Sequence, residues 1–273
     1  MRWSRVLSLR GATSRRTIQS VSEYVTYRER RSSLVPATIW WRSGPAGLTE
    51  ILPDGCMDLI WTGTDLMIAG PDTGPVVVEG SRTAEMTALR FEPGVAPVVF
   101  DCAADELINS RIALADVLPA RAARLLTEQV ASAADPAGVL QRCAADSLAR
   151  RPPPRWLRPA TALLAEGQPV SRVADEVSVS PRQLQRWSRH HYGYGAKALA
   201  RILRVDSALD GLRAGVPLTQ VAHSAGYADY AHMFREVRAV TGKAPAHFAR
   251  SRMDNSWERA VGDYGEPREY SGP

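Results

Sequence analysis

The chain has 273 residues, enough for two domains with a core each, and a formal charge of +5. Its three cysteines (Cys56, Cys102 and Cys143) are odd in number and form no Cys-x-x-Cys pair. That argues against a disulfide framework and a thiolate zinc site, and free thiols fit a reducing cytosol. No apolar run approaches the roughly 20 residues that a membrane span needs.

The first 22 residues are rich in Arg and Ser and lack acids. In composition they resemble a transit peptide, but the apolar stretch VLSL is too short for a secretory signal. Residues 1–25 are read as a disordered basic arm, or as sequence upstream of the true start. From 26 onward the chain turns strand-like. TIWWRS, TEILP, CMDLIW, LMIAG, PVVVEG, MTALRF and APVVF are short apolar or alternating runs, separated by turn signals such as SGPAG, PDG, TGTD, GPDTG and PG. Such spacing predicts a small barrel or sandwich. Helical spacing follows over 120–132, with Leu125, Leu126 and Val130 on one face. It recurs over 136–150, with Leu140, Cys143 and Leu148. These segments complete a β-rich domain over 26–150, expected to sense a ligand or to dimerise. The Arg121/Arg124 helix offers its apolar stripe either to a second copy or to the sheet.

The run RRPPPR breaks the chain, and 151–155 is read as a linker. Everything from 156 to 250 reads as helix. Trp156, Leu157, Ala160, Leu163 and Leu164 share a face that stops at Gly167. A longer helix is predicted from Ala196 to Leu212, with Leu199, Ile202, Leu203, Leu209 and Leu212 on one side. Residues 251–273 read as a disordered tail. Charge divides the same way: 16 Lys+Arg face 7 Asp+Glu over 151–252, against 11 and 16 over 26–150. A basic half joined to an acidic half suggests an anion-binding module attached to something else.

An internal repeat sharpens this. VADEVSVSPRQLQRWSRHHYG (173–193) and VAHSAGYADYAHMFREVRAVTG (221–242) each open on Val-Ala, pass a turn, restart a helix and end on Gly. Each therefore reads as a helix-turn-helix. Ser180 caps the second helix of the first copy, with Pro181 at its first position, and Asp229 is placed to cap in the second copy. Leu184 and Trp187 are expected inward, as are Met233 and Val237 with Phe234 beside them. Arg182, Gln185, Arg186 and Arg189 remain outward in the first copy, and Tyr230, Ala231, His232, Arg235 and Arg238 in the second. Arginine can pair bidentately with guanine and glutamine with adenine, while further arginines hold phosphates. A solvated face is the bland alternative. The repeat and its place on the basic half weigh against it.

The segment 157–250 resembles the DNA-binding domain of the AraC/XylS transcription regulators. GYADYAHMFREVRAVTGKAPAHFAR follows that family's signature, with Gly226, Tyr227, Asp229, Phe234, Arg235, Gly242 and Pro245 at or beside the expected places. Met233 departs from the usual phenylalanine, and Ser178 stands where glycine is common. The resemblance implies an α+β multidomain chain whose all-α C-terminal part holds seven helices, in two helix-turn-helix subdomains joined by a long helix. It implies a cytoplasmic regulator of double-stranded DNA, with two recognition helices in successive major grooves. By position it implies Arg182, Gln185 and Arg186 as base readers in copy one, His232 and Arg235 in copy two, and Arg189 and Arg238 on phosphate. RNA polymerase, a small-molecule effector and a second copy are the further partners expected. ILPDGCMDLIW, IAGPDTG, LRFEPG and AADELINSR resemble an uncharacterised N-terminal domain found ahead of such DNA-binding halves in actinobacterial regulators.

Other chemistry finds little support. All five histidines lie in the helical half, which disfavours metal in the barrel, and no cofactor is expected. Cys56 lies between Asp54 and Asp58, which raise a thiol pKa and oppose catalysis. A structural thiol is favoured over redox or alkylation sensing, and turn-capping over acid-base work for the two aspartates. Trp40, Trp41 and Trp61 are read as core, or as the walls of a cleft for an apolar or aromatic ligand. Two rivals stay open: an interaction module with degenerate helix-turn-helix units, and a Cys56-based sensor coupled to DNA binding.

Overall fold

The structure is a computed structural model that describes residues 26–44, 47–79 and 85–249. Residues 1–25 and 251–273, read above as an arm and a tail, lie outside the described residues. In the first half come strands β1 (Thr26–Arg31), β2 (Ala37–Ser43), β3 (Leu48–Ile51), β4 (Met57–Trp61), β5 (Leu66–Ala69), β6 (Val76–Glu79) and β7 (Met86–Phe91). Helix α1 (Ala96–Phe100), a 3-10 turn (Ala104–Leu107), strand β8 (Arg111–Ala113), a second 3-10 turn (Leu114–Asp116), and helices α2 (Ala120–Ala131) and α3 (Pro136–Arg150) follow. The second half is all helix: α4 (Leu157–Ala165), α5 (Val170–Glu176), α6 (Pro181–Tyr192), α7 (Ala196–Arg213), α8 (Leu218–Ser224), α9 (Tyr230–Thr241) and α10 (Pro245–Ala249).

Six strands form an antiparallel sheet in the order β1-β2-β7-β4-β5-β8, and β3 pairs with β6 apart from it. Period-two patterning sets the register. Ile39, Leu89, Leu59 and Ile68 stand opposite one another across four neighbouring strands, and all are buried. Trp41 and Trp61 share that face, while Trp40 lies on the other with Ile60, Ala69 and Ala88.

Two strand expectations need correction. APVVF is helix α1 and not a strand. Gly94, at φ +84°, turns the chain out of β7, and Pro97 in the first turn lacks the N–H a ladder would need. Periodicity alone cannot separate a short buried helix from a strand of that length. Conversely β1, TYRERR, has no apolar run. It is an edge strand whose charged side chains suit an exposed rim. The helical faces also shift. On α2 the buried residues are Ala123, Leu126 and Val130, and Leu125 is 45% exposed. On α3 they include Ala137, Leu140 and Ala144, with Cys143 and Leu148 only half-buried.

The packing does not divide at the proline linker. One apolar cluster runs from Ile39, Leu59 and Phe91 through Leu140 to Leu157, Leu164, Leu184, Tyr192, Leu199 and Ile202. A second cluster begins one turn later on the same helix. It gathers Val205, Leu209, Leu212, Val221, Met233, Val237 and Phe248, with Leu52 of the first half against it. The first helix-turn-helix therefore shares a core with the β-rich domain, and α7 carries the chain into the second.

Turns make this seam close. A Cβ at Gly94 would lie 2.6 Å from Leu157 Cδ1 and 2.8 Å from Tyr192 Cε1. At Gly55, with φ +80°, it would lie 3.0 Å from Leu199 Cδ1. Only glycine permits both the left-handed backbone and the approach. Nδ1 of His191 lies 3.3 Å from the Gly94 carbonyl oxygen, and Lys243 Nζ lies 2.6 Å from Glu50 Oε2.

A half-buried charge cluster sits in the seam. Arg90 Nε lies 3.4 Å from Asp54 and 3.5 Å from Asp58, and Trp40 Nε1 donates to Asp58 Oδ2 at 3.3 Å. Burial, opposed by Arg90, pushes the Asp58 carboxyl up to about 6. Asp206 extends the Leu199–Leu203 stripe of α7. Burial first, then Asp54 and Asp210, push its carboxyl up to about 7 against the pull of Arg213 and Arg90. An unfolded aspartate ionises near pH ~4. Between pH ~4 and pH ~7 the native state therefore keeps a proton that the unfolded state has lost. Stability falls as pH rises through that window, and the penalty is complete above it. Asp206→Asn should accordingly be near neutral at pH ~4 and stabilise the protein by about 1–3 kcal/mol at pH ~8, read from urea midpoints. A wild-type-to-variant difference that is flat with pH would contradict the placement of Asp206.

Candidate nucleic-acid interface

The two helix-turn-helix copies match residue for residue after their turns. Helices α5 and α8 are seven residues each and follow Pro169 and Pro217, both at φ −56° and ψ 139°. Each turn closes the same way. Val179 N–H donates to the Ala174 carbonyl and Tyr227 N–H to the Ala222 carbonyl, both at 2.9 Å. The second residue past each helix is left-handed, Ser178 at φ 57° and Gly226 at φ 77°. Serine thus takes the conformation that glycine adopts freely, and the turn keeps its shape despite the departure noted in the sequence.

The second helices, α6 and α9, are twelve residues each. Ser180 Oγ accepts from Gln183 N–H at 3.2 Å, and Asp229 Oδ1 accepts from His232 N–H at 2.6 Å. These caps satisfy a donor that a helix start leaves unpaired. Each helix ends on a left-handed glycine, Gly193 or Gly242, whose N–H donates to Arg189 or Arg238 at 2.9 Å. In this register Arg186 corresponds to Arg235, Arg189 to Arg238, and Arg182 to Ala231.

The inward faces differ in part from expectation. On α6, Leu184, Ser188 and Tyr192 are buried. Trp187 is half-buried and not core: it stacks on Trp156 with centroids 4.9 Å apart. On α9, Met233 and Val237 are buried as expected, joined by Val240 and Thr241, and Phe234 is half-buried.

Arg182, Arg186, Arg189, Arg235 and Arg238 are all exposed. Among the described residues none of the five makes an ion pair, so the guanidinium groups face solvent. Tyr230 is 36% exposed, and its ring lies 6.1 Å from that of Phe234. Two sequence-predicted readers sit differently. Gln185 is half-buried, and its amide lies against Gly195 at the start of α7, where a Cβ would come within 2.4 Å of Nε2. His232 is half-buried, its ring edge-on to Tyr227 at 5.2 Å and its Nε2 3.6 Å from Glu236. Glu236 is itself held by Arg204, with contacts at 2.8–3.1 Å. His190 is exposed at the C-terminal end of the arginine face. Its neighbour His191 belongs to the seam, where burial lowers its pKa.

The other candidate chemistries are also located. Burial first, and Asp54 next, push the Cys56 thiol up, which keeps it neutral and weakly nucleophilic. Asp54 Oδ1 accepts from Cys56 N–H at 2.9 Å, the turn-capping role. Among the described residues no cluster of His, Cys, Asp or Glu could hold a metal ion, and no helix is long and apolar enough to cross a membrane. Trp41 and Trp61 line an open cleft of about 550 Å³ with Arg28, Thr62, Thr87 and Asp135. The Arg28 guanidinium lies over the Trp41 ring, 4.5 Å from its centroid.

Two tandem helix-turn-helix units thus each present an exposed arginine face. Comparison with known families agrees. Residues 173–251 match a helix-turn-helix domain, and residues 37–113 match a domain of unknown function, DUF6597. No curated protein sequence matches the chain. Among solved structures, the C-terminal domain of AraT, a response regulator from Geobacillus stearothermophilus, is 20% identical, with 40% of this chain and 96% of that one covered and a TM-score of 0.35. A probable AraC family regulator from Rhodopseudomonas palustris is 21% identical, with coverages of 37% and 100% and a TM-score of 0.32. Fatty-acid-bound ToxT from Vibrio cholerae is 8% identical, with coverages of 86% and 97% and a TM-score of 0.42. Residues 173–251 thus carry a helix-turn-helix domain.

The left-handed Ser178 gives a test of the repeat's turn. A non-glycine residue there costs about 1 kcal/mol or more. Ser178→Gly should therefore raise the unfolding free energy by about 0.5–1 kcal/mol after the added chain entropy of glycine. A destabilised variant in a urea titration would argue against that turn geometry.

Proposed function

We propose that α6 and α9 enter successive major grooves on one face of double-stranded DNA, and that the N-terminal domain modulates this. The observation that carries the reading is the register match of solvent-facing arginines, Arg186 with Arg235 and Arg189 with Arg238, on two helices joined through one rod. In this reading Arg182, Arg186 and Arg235 contact base edges, and Tyr230 joins them from the start of α9. Arg189 and Arg238, a turn further along, are placed for phosphate. Gln185 and His232 act at the margin of this set, because each already contacts its own domain.

Regulation needs an effector or partner that binds two arrangements of the halves differently. The seam supplies the arrangement, and the Trp41/Trp61 cleft is of a size that suits a small effector. A cytoplasmic protein that contacts RNA polymerase, alone or as a homodimer, fits this role.

Alanine variants separate the two kinds of contact. Arg186→Ala should cost about 1–3 kcal/mol on the preferred site and relax one base position. Arg238→Ala should weaken all sequences alike and reduce the salt slope by about 1. Unchanged affinity and salt slope in both variants, measured by fluorescence anisotropy, would overturn the assignment.

A further inference from the structure

The two reading heads share a backbone and differ in chemistry. In the first turn of α6 the outward position is Arg182, after Pro181. The matching position of α9 is Ala231, after Tyr230. One turn on, both heads carry an exposed arginine, Arg186 and Arg235. At the flank Gln185 corresponds to Phe234, which lies beside Tyr230. The first head thus presents two guanidinium groups, with the Gln185 amide held back against Gly195 at the flank. The second presents one guanidinium with a methyl group and two aromatic rings beside it.

Base edges in the major groove differ in the same terms. Guanine offers N7 and O6 to an arginine fork, whereas thymine alone offers a C5 methyl to an apolar side chain. Because the N-terminal turn of a recognition helix lies nearest the bases, these substitutions fall where they decide sequence.

We infer that the protein reads an asymmetric operator, in which α6 takes a guanine-containing box and α9 takes a guanine flanked by thymine, recognised through its methyl group by Ala231 and the Tyr230/Phe234 pair. The inference rests on the DNA-reading proposal above and adds the base chemistry of each head. It makes Ala231 and Tyr230 specificity-determining residues, although neither can donate a bidentate hydrogen-bond pair. Since the contact is apolar, the second box should lose affinity when the methyl is removed and nothing else changes.

The test uses the full chain. Selection from a random duplex library supplies the preferred site, and each thymine in it is then replaced by deoxyuridine, which deletes only the C5 methyl. Loss of one buried methyl contact should weaken binding about fourfold in the box read by α9. Replacements in the box read by α6 should have less than about twofold effect, well short of the change expected for one methyl group. Ala231→Gly should shrink the thymine-to-deoxyuridine ratio toward one on the same site. Arg182→Ala, which relaxes only the other box, identifies which box belongs to which helix. A selected site with no thymine in the α9 box, or equal affinity for thymine and deoxyuridine there, overturns this inference and leaves DNA reading intact. Recovery of no preferred sequence at all overturns the DNA-reading proposal, and this one with it.

Discussion

The architecture depends on α7 serving two cores at once. Ala196, Leu199 and Ile202 close the cluster that the first helix-turn-helix shares with the β-rich domain. Val205, Ala208, Leu209 and Leu212 begin the cluster of the second. A helix of 18 residues at about 1.5 Å per residue is a rod about 27 Å long, on the scale of the ~34 Å between successive major grooves. Anchoring it at both ends fixes how far apart, and how rotated, α6 and α9 stand. Each buried leucine contributes on the order of 1.5–3 kcal/mol, so the spacing is held by packing and not by the polar contacts at the surface.

The seam gives the N-terminal domain a direct hold on that geometry. The turn at Gly55 meets Leu199 and Leu203, the turn at Gly94 meets Leu157 and Tyr192, and Glu50 reaches Lys243 beyond α9. Four stretches that set this domain apart in sequence, around PDG, GPDTG, EPG and AADELINSR, all lie at or beside this contact. Charge is used differently on the two sides. Three arginines of the sheet are paired internally: Arg90 with Asp54 and Asp58, Arg111 with Asp72, Arg31 with Glu92. The exposed arginines of α6 and α9 have no such partner among the described residues, which leaves their hydrogen-bonding forks unpaired within the chain.

The sequence made the local features legible. Caps at Ser180 and Asp229, stops at Gly193 and Gly242 and the repeated Val-Ala openings depend on neighbouring residues only, and the helix boundaries they imply hold to within a residue or two. The charged faces followed from the same periodicity. What depends on distant residues was not legible. Gln185 and His232 look outward on a helical wheel, but Gly195 and the Glu236–Arg204 pair draw them in. Trp187 looks inward, yet Trp156 receives it at the surface. APVVF has the composition of a strand and becomes helix because of what Gly94 and Pro97 do to the backbone. Neither Gly55 against Leu199 nor Asp206 beside Asp54 has any local signature, so the shared core could not be read from either half alone.

The central claim is that one rigid helix holds two reading heads in phase with a single face of the duplex. The most direct measurement is affinity for a preferred site into which about five base pairs are inserted between the two boxes, half a turn of a duplex with roughly 10 base pairs per turn. The account predicts loss of tight binding, with partial recovery when about ten are inserted. Affinity indifferent to the insertion would contradict it.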